Sequence, residues 1–418
     1  MIHRTVLDNG VRLLSEEMAG SPSVTVGIWV ENGSRDERPE ENGIAHFLEH
    51  LFFKGTQRRT AAGIAEEIDA VGGVLDAFTS KEYTCYYAKV LAEHLPLALD
   101  LLTDVFLQSQ FAEEEIERER SVICQEIAQV EDTPDDLIHD LFHLDFWRDH
   151  PLGLPISGTV AEVSRFQRSD FTRYLDQRYR PDRIFVAMAG SAPHEQLVDL
   201  AGSSFATLTG KALRVEEVPP VHHPGVYRHS RELEQTHLCL GIPCVSVHDS
   251  NWYAAYLLHT ALGGGMSSRL FQEIRERRGL VYDVTSFLSS YRDSGYLGIY
   301  AASSAESVPE VIELSCAILR DIAREGISAE ELRRAKGYAK GGLLLGLETS
   351  ESRMNRVARC EIYFRRDIPI AEVAADIERV TREDVHALAA RCLGNAPRAL
   401  TLLGEIPKKT DYQALIAA

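Results

Sequence analysis

Two spacings of hydrophobic residues divide the chain into predicted strands and predicted helices. Residues 5–18 surround Asp8-Asn9-Gly10, a turn sequence that favours a β-hairpin. Residues 24–30 predict a third strand, and residues 74–79 and 83–91 predict two strands that pair with each other. The first part of the chain therefore favours an antiparallel sheet.

Between and after these strands, apolar residues recur at the three-to-four spacing of amphipathic helices. The segment that follows the third strand is expected to begin its helix at Asn42, because asparagine is favoured as an N-cap. Thr60 is expected to cap the next helix, which Gly72-Gly73 ends. The helices predicted in this half lie at residues 42–53, 61–71, 94–108, 112–130 and 134–147.

The order of elements begins again in the second half of the chain. Pro219-Pro220 and Pro224-Gly225 interrupt the pattern, as expected for a linker. Beyond it, Ile327–Lys336 aligns with Phe111–Arg120, which lies 216 residues earlier. We therefore predict an α+β fold of two tandem homologous domains, each an antiparallel-rich mixed sheet backed by helices. The predicted boundaries are 1–212 for the first domain, 213–225 for the linker and 226–418 for the second domain.

The amino-acid composition is that of a globular protein, and the net charge argues against some classes of binding partner. Hydrophobic residues make up 44% of the 418 residues and charged residues 26%. The sequence contains no apolar run of the ~18 residues needed to cross a bilayer. A formal net charge of −19 argues against a nucleic-acid partner and against an anionic membrane surface. The same charge is compatible with the attraction of basic peptides.

The first residues and the cysteines bear on the compartment. Residues 1–8 show neither the charged-then-apolar pattern of a signal peptide nor an Arg-rich transit segment, so we expect a cytoplasmic location. A presequence that had been removed would leave no trace here. The seven cysteines are scattered and mostly in apolar surroundings, which favours reduced, buried thiols. Cys239 and Cys244 lack a second ligand pair, so we predict no metal site there.

The segment His46-Phe47-Leu48-Glu49-His50 lies on the first predicted helix. Positions four apart share a helix face, so His46 and His50 point the same way, with Glu49 beside them. Two imidazoles and a carboxylate form an incomplete zinc site with an adjacent base. His-x-x-Glu-His is also the inverted form of the zincin motif, so the segment predicts a metallopeptidase.

The predicted duplication does not include the residues of the His-x-x-Glu-His motif. At an offset near 213 residues, His46 aligns with His259, but leucine and glycine stand where Glu49 and His50 would be repeated. Only the first predicted domain is therefore expected to hold a metal ion.

The predicted helix at residues 112–130 offers candidates for the third ligand that a hydrolytic zinc site needs. It is rich in carboxylates, but Glu119 and Glu126 are seven residues apart and so lie on one face. Glu126 also sits between Ile123 and Ile127, in the less polar part of the helix. At an offset of 216 residues, alanine and glycine replace these two glutamates.

The motif His46-x-x-Glu49-His50, followed after 75 intervening residues by Glu126, resembles that of the pitrilysin family of zinc metallopeptidases. Within the family, the chain resembles the β-subunit of the mitochondrial processing peptidase and its bacterial homologues. The resemblance extends over most of the chain, and it includes residues 43–56, 76–80, 117–126 and 263–282.

The resemblance implies a zinc-dependent endopeptidase that binds one Zn²⁺ ion per chain. It assigns His46, His50 and Glu126 as the metal ligands and Glu49 as the general base. Glu119 matches a family carboxylate that supports the site from outside the ligand set, as an outer carboxylate commonly orients a ligating imidazole.

The resemblance also implies contacts with the substrate. Arg275 and Tyr282 match a family pair, in which the tyrosine donates a hydrogen bond to the developing oxyanion and the arginine holds a substrate carbonyl. An extended peptide would add as a further strand to the family's edge strand, here Asp76, Ala77, Phe78 and Thr79. The family often has asparagine where this chain has Asp76, so the departure adds negative charge near the cleft.

The implied substrate is an extended peptide or an unfolded segment, such as a presequence, cut inside a closed chamber. In the family a chain of this length supplies half of a clamshell chamber, so we expect a homodimer, or a heterodimer with an inactive homologue. The alternative is a non-catalytic scaffold or partner subunit of the same fold, like the core subunits of the bc1 complex. Such subunits typically lose motif residues, whereas His46, Glu49, His50 and Glu126 are all present here.

Overall fold

Residues 2–213, 218–394 and 396–417 are described in a computed structural model, and the chain divides into two compact units. The predicted domain boundaries stay a prediction, and part of the predicted linker, 213–225, lies outside the described residues. The compact units differ from the predicted domains, because each unit also contains one segment from the other half of the sequence. The first unit comprises Met1–Gln129, Leu154–Glu217 and Gly346–Ile368, and the second comprises Val130–Gly153, Val218–Leu345 and Pro369–Ala418.

A six-stranded sheet forms the centre of the first unit. Its strands are β1 (Ile2–Val6), β2 (Arg12–Glu17), β3 (Ser23–Val30), β4 (Val74–Thr79), β5 (Thr84–Leu91) and β6 (Ile184–Gly190). Their order is β1-β2-β6-β3-β5-β4, in which only the neighbours β2 and β6 are parallel. The hairpin predicted around Asn9 is confirmed, because β1 and β2 pair across that turn. Strand β4 lies at one edge of the sheet.

The second unit repeats most of this topology. Its strands are β7 (Gly225–Ser230), β8 (Thr236–Pro243), β9 (Val284–Ser290), β10 (Gly295–Ser303) and β11 (Ala399–Gly404). The order β7-β11-β8-β10-β9 matches β2-β6-β3-β5-β4, and its one parallel pair, β7 with β11, matches β2 with β6. The duplication and the α+β class predicted from the sequence are therefore confirmed at the level of strand order.

Helices separate and flank these strands, close to the bounds predicted for the first half. The cap predicted at Thr60 is confirmed, since its hydroxyl oxygen accepts a hydrogen bond from the Gly63 N–H. In the described ranges, no helix has both the length and the apolar character to cross a membrane. The helices are α1 (Ile44–Phe52), α2 (Ala61–Asp69), α3 (Leu95–Gln108), α4 (Glu113–Glu131), α5 (Pro134–Phe146), α6 (Val160–Val163), α7 (Arg168–Arg178), α8 (His194–Phe205), α9 (Trp252–Gly263), α10 (Val308–Glu325), α11 (Ala329–Leu345), α12 (Ser350–Phe364), α13 (Ile370–Arg379), α14 (Arg382–Leu393) and α15 (Tyr412–Ala417).

Each sheet is covered by helices on both faces. In the first unit, α1, α3 and α8 bury one face, and α12 packs on the other around Trp29, Phe185 and Met354. In the second unit, α9, α10 and α14 belong to the larger core, and α5 packs on the opposite face through Phe142 and Phe146. Burial on both faces explains why the central strands are almost continuously apolar rather than alternating.

The helices α5 and α12 are exchanged between the two halves of the sequence. Helix α5 follows α4 in the first half but belongs to the second unit, and α12 follows α11 in the second half but belongs to the first unit. A glycine stands in the strand beneath each exchanged helix. A Cβ atom added to Gly241 would lie 2.3 Å from Cζ of Phe142, and one added to Gly27 would lie 3.0 Å from Sδ of Met354. These glycines therefore permit the close approach of helix and sheet.

Replacing Gly241 with alanine is expected to lower the free energy of unfolding by about 1–3 kcal/mol, because the Phe142 ring must move. Gly27→Ala should cost less, since its added Cβ would lie 3.0–3.1 Å from Met354, Trp29 and Cys85, so these neighbours must move less than the Phe142 ring. Urea unfolding of both variants tests the order. The control is Gly337→Ala on α11, where an added Cβ meets nothing within 4 Å. Equal losses at positions 241 and 337 would contradict the packing argument.

Candidate metal centre

The His-x-x-Glu-His segment lies on α1. One apolar face of this helix packs in the core of the first unit. Phe47, Leu48 and Leu51 on this helix are at most 1% exposed. The side chains of His46 and His50 lie on another face and are each 17% exposed. Their rings are 4.9 Å apart between centroids, as expected for positions four apart on a helix.

Helix α1 begins at Ile44, so the predicted start at Asn42 is wrong by two residues. The N-cap is Gly43, with a left-handed φ of +93°, and it provides no side chain to accept the free N–H groups of the first turn. The buried carboxylate of Glu37 accepts them instead, from Gly43 and from Ala45, each at 2.9 Å. The Asn42 side chain donates to the same carboxylate at 3.2 Å, so it supports the cap rather than forming it.

Glu37→Gln is expected to destabilise the fold by about 1–3 kcal/mol and to weaken metal binding on α1. An amide has one acceptor oxygen, so at least one donor of the first turn would lose its partner in a buried site. Thermal unfolding and zinc titration measure the two effects. The control is Glu40→Gln, an exposed position in the same loop. Wild-type stability and zinc affinity in Glu37→Gln would contradict this assignment.

Helix α4 brings Glu126 to the two histidines. Its Oε2 atom lies 3.8 Å from Nε2 of His46 and 3.5 Å from Nε2 of His50. One ligand atom from each of the three residues lies within 4.8 Å of the others. Tetrahedral zinc with bonds of ~2.1 Å places its ligand atoms ~3.4 Å apart. The three donors are therefore spaced close to what one zinc ion requires.

The protonation state of His46 also suits a metal ligand. Burial, with a smaller effect of the neighbouring His50, lowers the pKa of His46 to about 4. The imidazole is therefore neutral at pH 7, the form that binds metals. Its Nδ1 atom is buried without a hydrogen-bond partner among the described residues, and its Nε2 atom is the one near Glu126. Two imidazoles and a carboxylate are a donor set that fits Zn²⁺.

Glu119 holds the second histidine in place. Its Oε2 atom is 3.0 Å from Nδ1 of His50, which leaves Nε2 of that ring to face Glu126. The other carboxylate oxygen pairs with the ammonium group of Lys54 at 2.8 Å. Sequence reasoning found Glu119 but missed Lys54. Its spacing of four residues from His50, on the continuation of the same helix face, was the available signal.

Glu49 lies beside the histidines with its carboxylate against the end of strand β4. The Thr79 hydroxyl donates a hydrogen bond to Oε2 of Glu49. Burial raises the pKa of Glu49 above its ordinary value, although the hydrogen bond from Thr79 acts in the opposite direction. The structure therefore brings Thr79, predicted to contact substrate, into contact with the predicted base.

The other residues of the predicted edge strand lie on β4 as expected. The Asp76 carboxylate accepts a hydrogen bond from the backbone N–H of Ala77 at 2.8 Å and one from the Tyr87 hydroxyl at 3.4 Å. The Phe78 ring packs edge-on against Trp29, with centroids 5.6 Å apart. The far side of β4 has no neighbour among the described strands of the sheet.

Arg275 and Tyr282 belong to the second unit. Arg275 lies on a π-helical segment, Phe271–Glu276, and its guanidinium stacks over the Phe271 ring at 4.9 Å. Its Nε–H donates to the backbone oxygen of Tyr282 at 2.9 Å. The Tyr282 residue is 85% exposed, so its side chain projects into solvent while Arg275 fixes its backbone.

Among its described residues, the second unit does not repeat the metal cluster. His259, the counterpart of His46, lies on α9 with its Nδ1 atom 2.8 Å from the Ser286 hydroxyl, and burial lowers its pKa to about 4. Across the described residues, the one group of three or more metal-binding side chains is His46, His50 and Glu126.

Comparison with known proteins matches two parts of the chain to models of one peptidase family. Residues 12–160 match the family "Insulinase (Peptidase family M16)", and residues 165–337 match "Peptidase M16 inactive domain". The uncharacterized zinc protease YmxG of Bacillus subtilis is 42% identical over 406 residues, which cover 96% of this chain and 98% of the relative. The uncharacterized zinc protease Rv2782c of Mycobacterium tuberculosis is 43% identical over 423 residues, covering 99% and 96%.

Two solved structures have the same fold. A protease from Helicobacter pylori superposes with a TM-score of 0.90 at 20% identity, over 97% of this chain and 99% of that one. A protein from Pseudomonas fluorescens described as a peptidase M16 inactive domain gives a TM-score of 0.89 at 18% identity, over 98% and 99%. With the close relatives above, these findings confirm the predicted family and enzyme class: the chain belongs to peptidase family M16, the pitrilysin-type zinc proteases.

Proposed function

We propose that this chain is a zinc-dependent endopeptidase in which His46, His50 and Glu126 hold one Zn²⁺ ion and Glu49 is the general base. The observation that carries the proposal is the convergence of three donors within 4.8 Å of one another. Beside them lies the carboxylate of Glu49, which no cation neutralises at hydrogen-bond distance in the described part of the chain. Family membership independently supports a zinc protease.

The proposed reaction divides the work among these residues. When bound, zinc supplies Lewis-acid chemistry, polarising the scissile carbonyl and acidifying the attacking water. Glu49 takes the proton of that water and passes it to the leaving amine, and its raised pKa makes it a stronger base for the first of these transfers. Thr79 holds the Glu49 carboxylate in one orientation, and Lys54 and Glu119 hold the His50 ring. The Tyr282 hydroxyl, from the second unit, would donate a hydrogen bond to the oxyanion and Arg275 would hold a substrate carbonyl.

The proposed substrate is an extended peptide or an unfolded segment that pairs with the free edge of β4. Edge pairing satisfies the peptide backbone and leaves its side chains to provide selectivity. Asp76 on this strand and the net charge of −19 favour basic peptides, such as presequences. We propose a cytoplasmic enzyme that works as a homodimer, or with an inactive homologue, with residues 1–212 as the catalytic domain and 226–418 as the domain that completes the chamber.

Metal analysis combined with peptide cleavage tests the proposal. The purified chain should contain one zinc per chain and cleave a quenched-fluorescence peptide library, and a chelator should abolish cleavage until zinc is restored. Peptides matched in length but differing in basic residues test the charge preference. Native mass measurement gives the oligomeric state.

The second candidate is a non-catalytic scaffold of the same fold. Full zinc occupancy without cleavage of any library peptide would favour it. The intact set of His46, Glu49, His50 and Glu126 argues for the enzyme instead, because a scaffold has no need of a base beside the metal.

A further inference from the structure

A cavity in the second unit lies where three helices end. Its volume is about 890 Å³, and its lining comes from the C-terminal parts of α10, α14 and α15 and from the starts of β7 and β11. Helices α14 and α15 both pack against α10. Pockets that bind small molecules in proteins typically measure about 300–1,000 Å³. The cavity therefore has the size of a ligand site.

The lining of this cavity is rich in arginine. Arg320 and Arg324 are four residues apart on α10 and therefore share a face of that helix. Arg398, which directly precedes β11, is the third arginine of the lining and is only 6% exposed. The one carboxylate in the lining that the structure describes, Asp321, is already ion-paired with Arg324 at 3.0 Å. The cavity is thus positively charged, in a chain whose net charge is −19.

Two of these arginines, Arg320 and Arg398, have no carboxylate partner within the described ranges. Arg398 donates to the backbone oxygens of Ile416 at 2.9 Å and Leu393 at 3.4 Å, near the ends of α15 and α14. Backbone oxygens at helix ends offset only part of a full positive charge. Nε of Arg398 and Nη1 of Arg320 are buried without any hydrogen-bond acceptor among these residues, which is unfavourable for both groups.

We propose that this cavity binds a small organic phosphate, whose phosphoryl oxygens accept hydrogen bonds from Arg320 and Arg398. A guanidinium group presents paired donors that match the oxygens of a phosphate. A phosphate monoester carries a charge of about −1.5 to −2 at pH 7, which balances two guanidinium groups, whereas a monocarboxylate balances one. The organic part of the ligand would contact the apolar lining at Pro224, Ala396 and Pro397.

The phosphate site does not rest on the proposed peptidase function, because none of its lining residues belongs to the metal centre. It also differs from a purely structural arrangement of arginines in one measurable respect. A structural arginine stabilises the protein without ligand, whereas an arginine kept for an anion stabilises it only when the anion is bound. Arg320 is the position that separates these two cases, since it has no partner to lose in the described structure.

Calorimetric titration of the full-length, zinc-loaded protein with phenyl phosphate tests the proposal. Arg320→Gln should raise the Kd about 10–100-fold, because one charge-assisted contact is lost. Without phenyl phosphate, the midpoint of thermal unfolding of this variant should equal or exceed that of wild type. The matched control is Arg333→Gln, an exposed arginine of α11 that pairs with Glu330 and should keep the wild-type Kd.

Two further probes identify the anion and its position. Inorganic phosphate should compete with phenyl phosphate, and benzoate, which has the same ring but a single charge, should bind more weakly. Phenylglyoxal modifies guanidinium groups, and bound phenyl phosphate should protect Arg320 from it but not Arg333.

Four results would each overturn the proposal. Phenyl phosphate might fail to bind, or it might bind Arg320→Gln as tightly as wild type, which would place it elsewhere, such as at the zinc ion. Tighter binding of benzoate than of phenyl phosphate would exclude a phosphate site. A lower unfolding midpoint of ligand-free Arg320→Gln, with an unchanged midpoint in Arg333→Gln, would make Arg320 a structural residue.

Discussion

Glu49→Gln is expected to reduce the kcat of peptide hydrolysis by about 10²–10⁴-fold while zinc remains bound. Glutamine cannot take a proton from water, but its amide oxygen keeps an acceptor for the Thr79 hydroxyl, so the local structure should persist. Hydrolysis of a quenched-fluorescence peptide gives the rate, and elemental analysis gives the zinc content.

The matched control is Glu66→Gln, an exposed glutamate on α2. It should retain wild-type activity and metal. If Glu49→Gln kept full activity, the base would have to be another residue, and the proposed division of work in the site would be wrong. Loss of zinc in this variant would instead show that Glu49 contributes to metal binding.

Glu126→Ala is expected to weaken zinc affinity more than any change outside the ligand set, by over ~100-fold. Removing a ligand removes a metal bond, whereas changing an outer partner affects only the orientation of a ligand and costs about 10–100-fold. Glu119→Gln should fall in that smaller range, because His50 would lose its charged partner but keep its metal-facing nitrogen.

Competition with a zinc-sensitive chelator measures these affinities. Glu114→Ala is the control, since its side chain is 87% exposed on the same helix. Equal effects of Glu119→Gln and Glu126→Ala would contradict the assignment of the third ligand. Retention of wild-type affinity in Glu126→Ala would remove Glu126 from the site altogether.

Much of this site follows from helical periodicity. His46 and His50 had to share a face once α1 was assigned, and the seven-residue spacing of Glu119 and Glu126 placed both on one face of α4. The spacing alone did not say which of the two glutamates would reach both histidines. That distinction rested on family resemblance, and the geometry agrees with it.

Other features lay beyond sequence reasoning for a physical reason. Glu37 is one charged residue among several in its loop, and only the path of the chain turns its carboxylate towards the N-terminus of α1. The exchange of α5 and α12 is likewise a property of tertiary packing, since their sequences are ordinary amphipathic helices.

The exchange of α5 and α12 affects how the protein folds during its synthesis on the ribosome. The sheet that supports the metal residues lacks the cover of α12 until residue 364 has been made, so one apolar face stays open during most of translation. Nascent chains of this kind rely on chaperones while such faces are exposed. A fragment ending at residue 212 should therefore aggregate, and supplying residues 346–368 as a separate peptide should improve its solubility. The first half of the sequence, which contains the zinc-binding residues, would therefore need residues 346–368 from the last third of the chain in order to fold stably.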